Sequence, residues 1–169
     1  MITVRTVVLE SGERLPMLIG DNGLPDPHLT HYAISSLRQN VGTAKSIEHH
    51  LRSLLLMRVW EKLEGIDVVE RCQSFQFLSA SELVRLKDHL MIPLRRHRKV
   101  LDGSVAAQIG ERPRISRSTA QSRYDAISRF LFWLGDEAFS RISSSDSPKL
   151  NAAEASQKAF KGRAKANRR

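Results

Sequence analysis

Few side chains of this 169-residue chain have the types and spacing that catalysis requires. His49 and Arg52 form an H-x-x-R pair, a spacing that can hold an anionic transition state in phosphoryl transfer. The pair lies within a strongly amphipathic pattern, so a solvent-side position beside the core residue Leu51 is the favoured interpretation. His28 and His31 are spaced as metal ligands can be, but no cysteine lies near them to complete a zinc site.

Other catalytic patterns are missing from the sequence. It has no phosphate-binding loop, no dinucleotide-binding fingerprint and no nucleophile elbow, and its 18 acidic residues form no evident acid–base pair. Tyr32 and Tyr124 both fall on apolar stripes, where a core position is favoured over a nucleophile. The single Cys72 excludes an internal disulfide. We therefore expect no enzyme activity, no cofactor, no metal and no small-molecule substrate.

Positive charge is concentrated in two stretches of the chain. The 27 basic residues exceed the 18 acidic ones and give a formal net charge of +9. Residues 93–123 carry a net charge of +6 and residues 158–169 carry another +6. Such concentrated potential suits a polyanion such as nucleic acid. A solvated face with a frayed tail is the alternative.

The start of the last strong helix has the residues of a phosphate-binding site. Ser116 or Ser118 can cap this helix, which leaves free N–H groups at the positive end of the helix dipole. Arg117 and Arg123 add charge on adjoining turns, and an ordinary capped helix is the alternative. The candidate DNA-binding residues are the basic residues of this region and one serine: Arg95, Arg96, Arg98, Lys99, Arg112, Arg114, Arg117, Ser118 and Arg123.

The elements that position these residues are mostly helices. Residues 2–9 and 15–19 form a predicted hairpin, in which Pro16 implies an edge position. Apolar positions three and four residues apart then predict four helices, the last of them ending at Gly135. They lie near 28–41, 43–64, 79–92 and 117–135. The expected core consists of apolar residues on these helices: Ile47, Leu51, Leu54, Leu55, Leu83, Leu86, Ile127, Leu131 and Leu134.

Three regions are expected along the chain. A hairpin arm over 1–25 precedes a helical domain over 26–140, which includes a basic loop at 95–117. A tail over 141–169 contains a linker, a weak helix near 151–162 and the basic end. No apolar run is long enough to span a bilayer, and no signal peptide is recognised. We therefore expect a reduced intracellular compartment and no membrane contact.

Several segments resemble one protein family. The pattern S-T-x4-Y-x2-I-x2-F-L-x-W-L at 118–134 resembles a helix in the core-binding domain of tyrosine recombinases, the phage-integrase family. The helix predicted at 43–63, with H-L-R at 50–52 and W-E-K-L-E-G-I-D at its end, is similar to another helix of that domain. The pattern F-L-S-x2-E-L-x2-L at 77–86 is similar to the segment that follows in one bacterial subgroup. That subgroup also has a short β-rich start ending in a Gly-Leu-Pro turn, like residues 23–25.

The resemblance covers roughly residues 1–140 and implies a mainly all-α, four-helix SAM-like domain that forms half of a clamp around double-stranded DNA. In the family, the catalytic half follows and supplies an Arg in a G-L-R-x-G-E-like context, a Lys, an H-x-x-R box and a nucleophilic Tyr. No such set is found here, so the resemblance implies a truncated site-specific integrase that binds DNA in integration and recombination without cutting it. It also implies recombinase protomers as partners and a bacterial cytoplasmic, nucleoid-associated location.

Two further functions stay open from the residues alone. A small basic protein would bind RNA through residues 158–169. A helical protein-interaction module would instead use Phe130, Trp133 and Phe139 as its docking surface. A complete enzyme with an unrecognised site is the least favoured alternative.

Overall fold

The computed structural model describes residues 2–95, 114–141 and 147–166. The chain begins with two strands, β1 (Thr3–Val8) and β2 (Arg14–Ile19). A helical run follows, made of α1 (Pro27–Tyr32), a π-helical turn (Ala33–Leu37) and α2 (Arg38–Val41). The other helices are α3 (Ala44–Glu64), α4 (Val68–Gln73), α5 (Ala80–Leu90), α6 (Arg117–Ser140) and α7 (Ser147–Ala166).

These elements confirm a mainly α-helical fold with a short N-terminal hairpin. The chain forms two compact units, each made from two separate stretches of sequence. The first unit comprises Met1–Val59 and Ile92–Arg114, and the second comprises Trp60–Met91 and Ile115–Arg169. The region boundaries expected near residues 25 and 140 stay predictions.

The hairpin packs within the first unit. Its strands pair antiparallel, and Pro16 lies opposite Thr6. Because both strands of a two-stranded sheet are edge strands, Pro16 occupies the edge position that the sequence implies. Leu15 and Leu18 are buried, and β2 contacts α1. The hairpin is therefore held against the helical part of its own unit.

Asp26 connects the start of the helical run to α3 in the first unit. Its Oδ1 caps α1 by accepting a backbone N–H at 3.0 Å, and its Oδ2 accepts Arg58 Nε at 3.0 Å. Gly42 ends the run in the left-handed region with φ +74°, which glycine adopts without strain. Thr43 then caps α3, since its hydroxyl accepts the Ser46 N–H at 3.2 Å. The predicted boundary between the first two helices is confirmed.

A charged pair joins α4 to α5 in the second unit. Ser79 Oγ accepts the Glu82 N–H at 3.3 Å, and the Glu82 carboxylate accepts the Ser79 N–H at 2.7 Å, which is the capping box that the sequence predicts. The same carboxylate accepts Arg71 of α4 at 2.6 and 3.3 Å. Burial alone would raise the pKa of Glu82, but the hydrogen bonds from Arg71 and Ser79 outweigh it and lower this pKa to about 2.

The second unit differs from the predicted helices in three places. The sequence pattern does not predict the six-residue α4, because so short a segment shows no periodicity. The predicted stop at Gly135 is wrong: α6 continues to Ser140, and Gly135 is buried. A Cβ at Gly135 would come within 3.2 Å of the Phe77 ring, so this glycine permits close packing rather than ending the helix. Finally, α7 is longer than the helix predicted at 151–162.

The predicted core is confirmed. All nine expected core residues are at most 4% exposed. The second unit also buries side chains of the basic tail: Phe160 is 1% exposed and stacks on Phe77, with ring centroids 4.9 Å apart. Tyr124 Oη donates to the Ala164 carbonyl at 3.3 Å. Residues 147–166 are therefore an integral helix of the second unit and not a frayed tail.

Candidate nucleic-acid interface

The N-terminus of α6 has the arrangement that the sequence indicates for a phosphate contact. Of the two serines that could cap the helix, Ser116 does so, with its Oγ accepting the Thr119 N–H at 3.2 Å. The Ser116 hydroxyl also lies 3.0 Å from Ser118 Oγ and 2.8 Å from Thr119 Oγ1. No acidic residue lies in the first turn of α6. The helix therefore starts with clustered hydroxyl groups beside Arg117.

The candidate arginines on either side of residues 96–113, which lie in the predicted basic loop, are exposed to solvent. Arg117 and Ser118 lie together in the first turn of α6, whereas Arg95 and Arg114 belong to the first unit. None of these three arginines forms a side-chain hydrogen bond or ion pair within the described residues. Their positive charges are therefore not neutralised by carboxylates of the described chain.

Many other arginines of the described chain are already paired. Arg38 lies 2.6 Å from Glu13, Arg52 lies 2.6 Å from Glu48, and Arg85 lies 2.9 Å from Glu64. Arg5, Arg14 and Arg129 are exposed and resemble the candidate arginines in lacking such a carboxylate. Ion pairing therefore separates the arginines that join parts of the fold from the exposed arginines, both candidates and others, whose charge is available to a partner.

Arg123 differs from the other candidates because it serves the fold. It is half-buried, and its Nη1 donates to the Leu90 carbonyl at 2.8 Å, at the C-terminus of α5. Burial lowers the pKa of the Arg123 guanidinium, which nevertheless starts so high that the group stays protonated. The Ile115 N–H donates to the Met91 carbonyl at 2.9 Å, one residue farther on. Arg123 therefore caps α5, and its contact with DNA stays a prediction.

The sequence contains a signal for this role of Arg123, although charge alone does not reveal it. Arg123 lies three residues after Ala120 and four before Ile127, and both of these are buried. A residue at that spacing is on the edge of the buried stripe of α6. The remaining candidates lie outside the described residues: Arg96, Arg98, Lys99 and Arg112.

The histidine and arginine of the H-x-x-R pair are on the surface of α3, as expected. His49 and Arg52 are exposed, and Arg52 is paired with Glu48 in its own helix. Tyr32 and Tyr124 are 2% and 1% exposed, which confirms their core positions. Burial raises the pKa of the Cys72 thiol to about 12, so this thiol is protonated and unreactive at neutral pH.

The surface proposed for a protein-interaction module is smaller than the sequence suggests. Phe130 is fully buried and stacks with Trp133 at a centroid distance of 6.1 Å, so it cannot contact a partner. Trp133 and Phe139 are partly exposed.

Within residues 2–95, 114–141 and 147–166, no three or more His, Cys, Asp or Glu side chains are grouped to hold a metal ion. No helix of this described part has the length and apolar character needed to cross a membrane.

Comparisons with protein-family models, with curated proteins and with solved structures find no match for this chain.

Proposed function

We propose that this protein binds double-stranded DNA as the core-binding domain of a tyrosine recombinase, without itself cutting the DNA. The observation that carries the proposal is the exposure of Arg95, Arg114 and Arg117 without carboxylate partners in the described chain. Arginines without carboxylate partners can neutralise phosphates, and the release of the counterions condensed on the nucleic acid then favours binding. The order of the sequence segments that resemble the recombinase family supports duplex DNA as that polyanion.

The start of α6 supports a phosphate contact in particular. A helix N-terminus presents backbone N–H groups and a positive partial charge to an anion, and arginine adds a forked donor. Arg117, Ser118 and the hydroxyl of Thr119 supply such donors in one helical turn. These contacts fix position on the backbone and carry little sequence information. We therefore expect binding that depends strongly on salt and weakly on sequence.

The experiment compares duplex binding by the wild type and by the Arg114→Gln/Arg117→Gln variant. Fluorescence anisotropy with a labelled duplex at several salt concentrations gives the slope of log affinity against log salt. Removing one phosphate contact should lower this slope by about 0.9, so the double variant should lower it by about two units. Both residues are exposed, so the variant should fold like the wild type.

A matched control removes two positive charges elsewhere. Arg5 and Arg129 are exposed, lack a carboxylate partner within the described residues and lie outside the predicted contact set, so the Arg5→Gln/Arg129→Gln variant should keep most of the slope. An unchanged slope in Arg114→Gln/Arg117→Gln would contradict the proposed contacts. Binding that prefers single-stranded RNA, and that disappears in Lys158→Gln/Lys165→Gln, would favour the RNA-binding alternative, since both lysines are exposed on α7.

A further inference from the structure

A second basic surface lies in the first unit and shares no residue with the candidate site on α6. It is a solvent-open groove of about 380 Å³ between the hairpin and the beginning of α3. One side of the groove comes from the two strands and the other from the first two turns of the helix. The lining residues are Thr6, Val8, Arg14, Ala44, Lys45 and Glu48.

The charges of this groove are unbalanced in favour of cations. Arg14 and Lys45 are both exposed, and neither side chain forms a hydrogen bond or ion pair within the described residues. Among the described lining residues Glu48 is the one carboxylate, and it accepts Arg52 Nη2 at 2.6 Å. Because Glu48 is already paired with Arg52, the charges of Arg14 and Lys45 are left for an external anion.

The position of Lys45 is unfavourable for the helix itself. It lies in the first turn of α3, where no acidic residue is present and the backbone dipole is positive. A cation at this end of a helix is destabilising, while an anion there is stabilising. Lys45 therefore does not contribute to the stability of α3 through its charge, and an anion bound beside it would relieve the repulsion.

The lining also has an apolar side. Val8 pairs with Arg14 across the hairpin and is 63% exposed, which is high for a valine in a strand. Thr6 adds a hydroxyl group on the same face of β1, because residues two apart point to one side of a strand. Two cations, a hydroxyl and an exposed valine complement a sugar–phosphate chain, which offers anionic oxygens beside apolar ring carbons.

We propose that this groove binds the phosphodiester backbone of duplex DNA and gives the protein a second contact, made by Arg14 and Lys45. The inference rests on the proposed function, since it names a further place at which the same duplex is held. The sequence does not reveal the groove, because residues 1–92 carry almost no net charge and the two cations are 31 positions apart. The hairpin brings them to one groove.

The test is the Arg14→Gln/Lys45→Gln variant, measured with the same labelled duplex over the same salt series. Removing two phosphate contacts should lower the slope of log affinity against log salt by about two units. The Arg5→Gln/Arg129→Gln variant is the control, because it removes the same charge from two exposed, unpaired arginines and neither residue lines the groove. Far-UV circular dichroism and urea unfolding verify that each variant is folded.

The outcomes distinguish this inference from the proposed function. A slope reduced in the groove variant and retained in the control supports the groove as a DNA contact. If the wild type binds duplex DNA and the groove variant keeps the full slope, the groove inference is wrong while the proposed function stands. If the wild type binds no duplex DNA at any salt concentration, both are overturned. Equal reductions of the slope in the groove variant and the control would also overturn the inference, because only net charge would matter.

Discussion

At the scale of single residues, Gly135 shows how a helix-breaking residue is used for packing. Its position after a strong apolar stripe predicts the end of a helix, whereas the fold continues α6 through it. A glycine occupies this position because the Phe77 ring packs closely against the helix there. The ring would lie only 3.2 Å from a Cβ at position 135. Sequence periodicity describes one helix at a time, so it does not reveal how closely a second element approaches.

We expect Gly135→Ala to lower the free energy of unfolding by roughly 1–3 kcal/mol, because overpacking outweighs the better helix propensity of alanine. Urea unfolding measures the change. Gly162→Ala is the matched control: this glycine lies inside α7 with no atom within 4 Å of a Cβ, so alanine should stabilise the protein by about 0.5–1 kcal/mol. Stabilisation by both substitutions would contradict the packing role of Gly135.

Arg117 and Arg123 should also differ, although the sequence places them on adjoining turns. Arg123→Leu leaves the Leu90 carbonyl without its donor, so we expect a decrease of about 1–3 kcal/mol in the free energy of unfolding. Arg117→Gln changes an exposed residue and should stay within about 0.5 kcal/mol of the wild type. Thermal and urea unfolding measure both variants. If Arg123→Leu is as stable as Arg117→Gln, the hydrogen bond from Arg123 does not stabilise α5.

At the scale of elements, local chemistry is the most predictable part of the structure. The capping box of α5, the cap at Thr43 and the stripes of α3 and α6 follow from residues within a few positions of one another. The six-residue α4 and the burial of Phe160 depend on contacts between distant parts of the chain. The same limit applies to the two proposed DNA contacts: helix capping at Ser116 is predictable from the sequence, and the separate groove at Arg14 and Lys45 is not.

The junction of α4 and α5 should give the stability of the protein an acid dependence. The folded pKa of Glu82, about 2, lies below its ordinary value of 4.5. Ionised Glu82 therefore stabilises the fold fully above about pH 4.5, and this contribution is lost as the pH falls from 4.5 towards 2. We expect Glu82→Gln to cost roughly 1 kcal/mol at pH 7 and clearly less at pH 3, measured by urea unfolding.

A control for this acid dependence is Glu154→Gln. Glu154 is exposed on α7 and has no ion-pair partner within the described residues. Its substitution should change the free energy of unfolding by less than about 0.5 kcal/mol at either pH. If Glu82→Gln costs the same at pH 7 and pH 3, the carboxylate charge of Glu82 is not what joins α4 to α5.

At the scale of the whole molecule, the C-terminal helix determines which experiments on function are informative. Phe160 stacks on Phe77 and contacts Phe132 edge to face, with ring centroids 5.6 Å apart. We expect Phe160→Ala to cost about 3–5 kcal/mol in urea unfolding, and Lys158→Ala, at an exposed neighbouring position, to change little. If both substitutions change the free energy of unfolding only slightly, the packing of α7 through Phe160 does not stabilise the protein. We therefore expect deletion of the tail to destabilise the second unit, so the RNA-binding alternative is tested by substituting the exposed lysines of α7 instead.

The stack of Phe77 on Phe160 also affects the newly made chain. The two rings are 83 positions apart, and synthesis at about 5–20 residues per second separates their appearance by roughly 4–17 s. During that interval Phe77 has no partner from α7, and neither has the buried face of α6 once residues 117–140 have been made. A nascent chain that pauses before residue 160 therefore presents aromatic surface to the cell, and overexpressed protein should associate with chaperones at this stage of its synthesis.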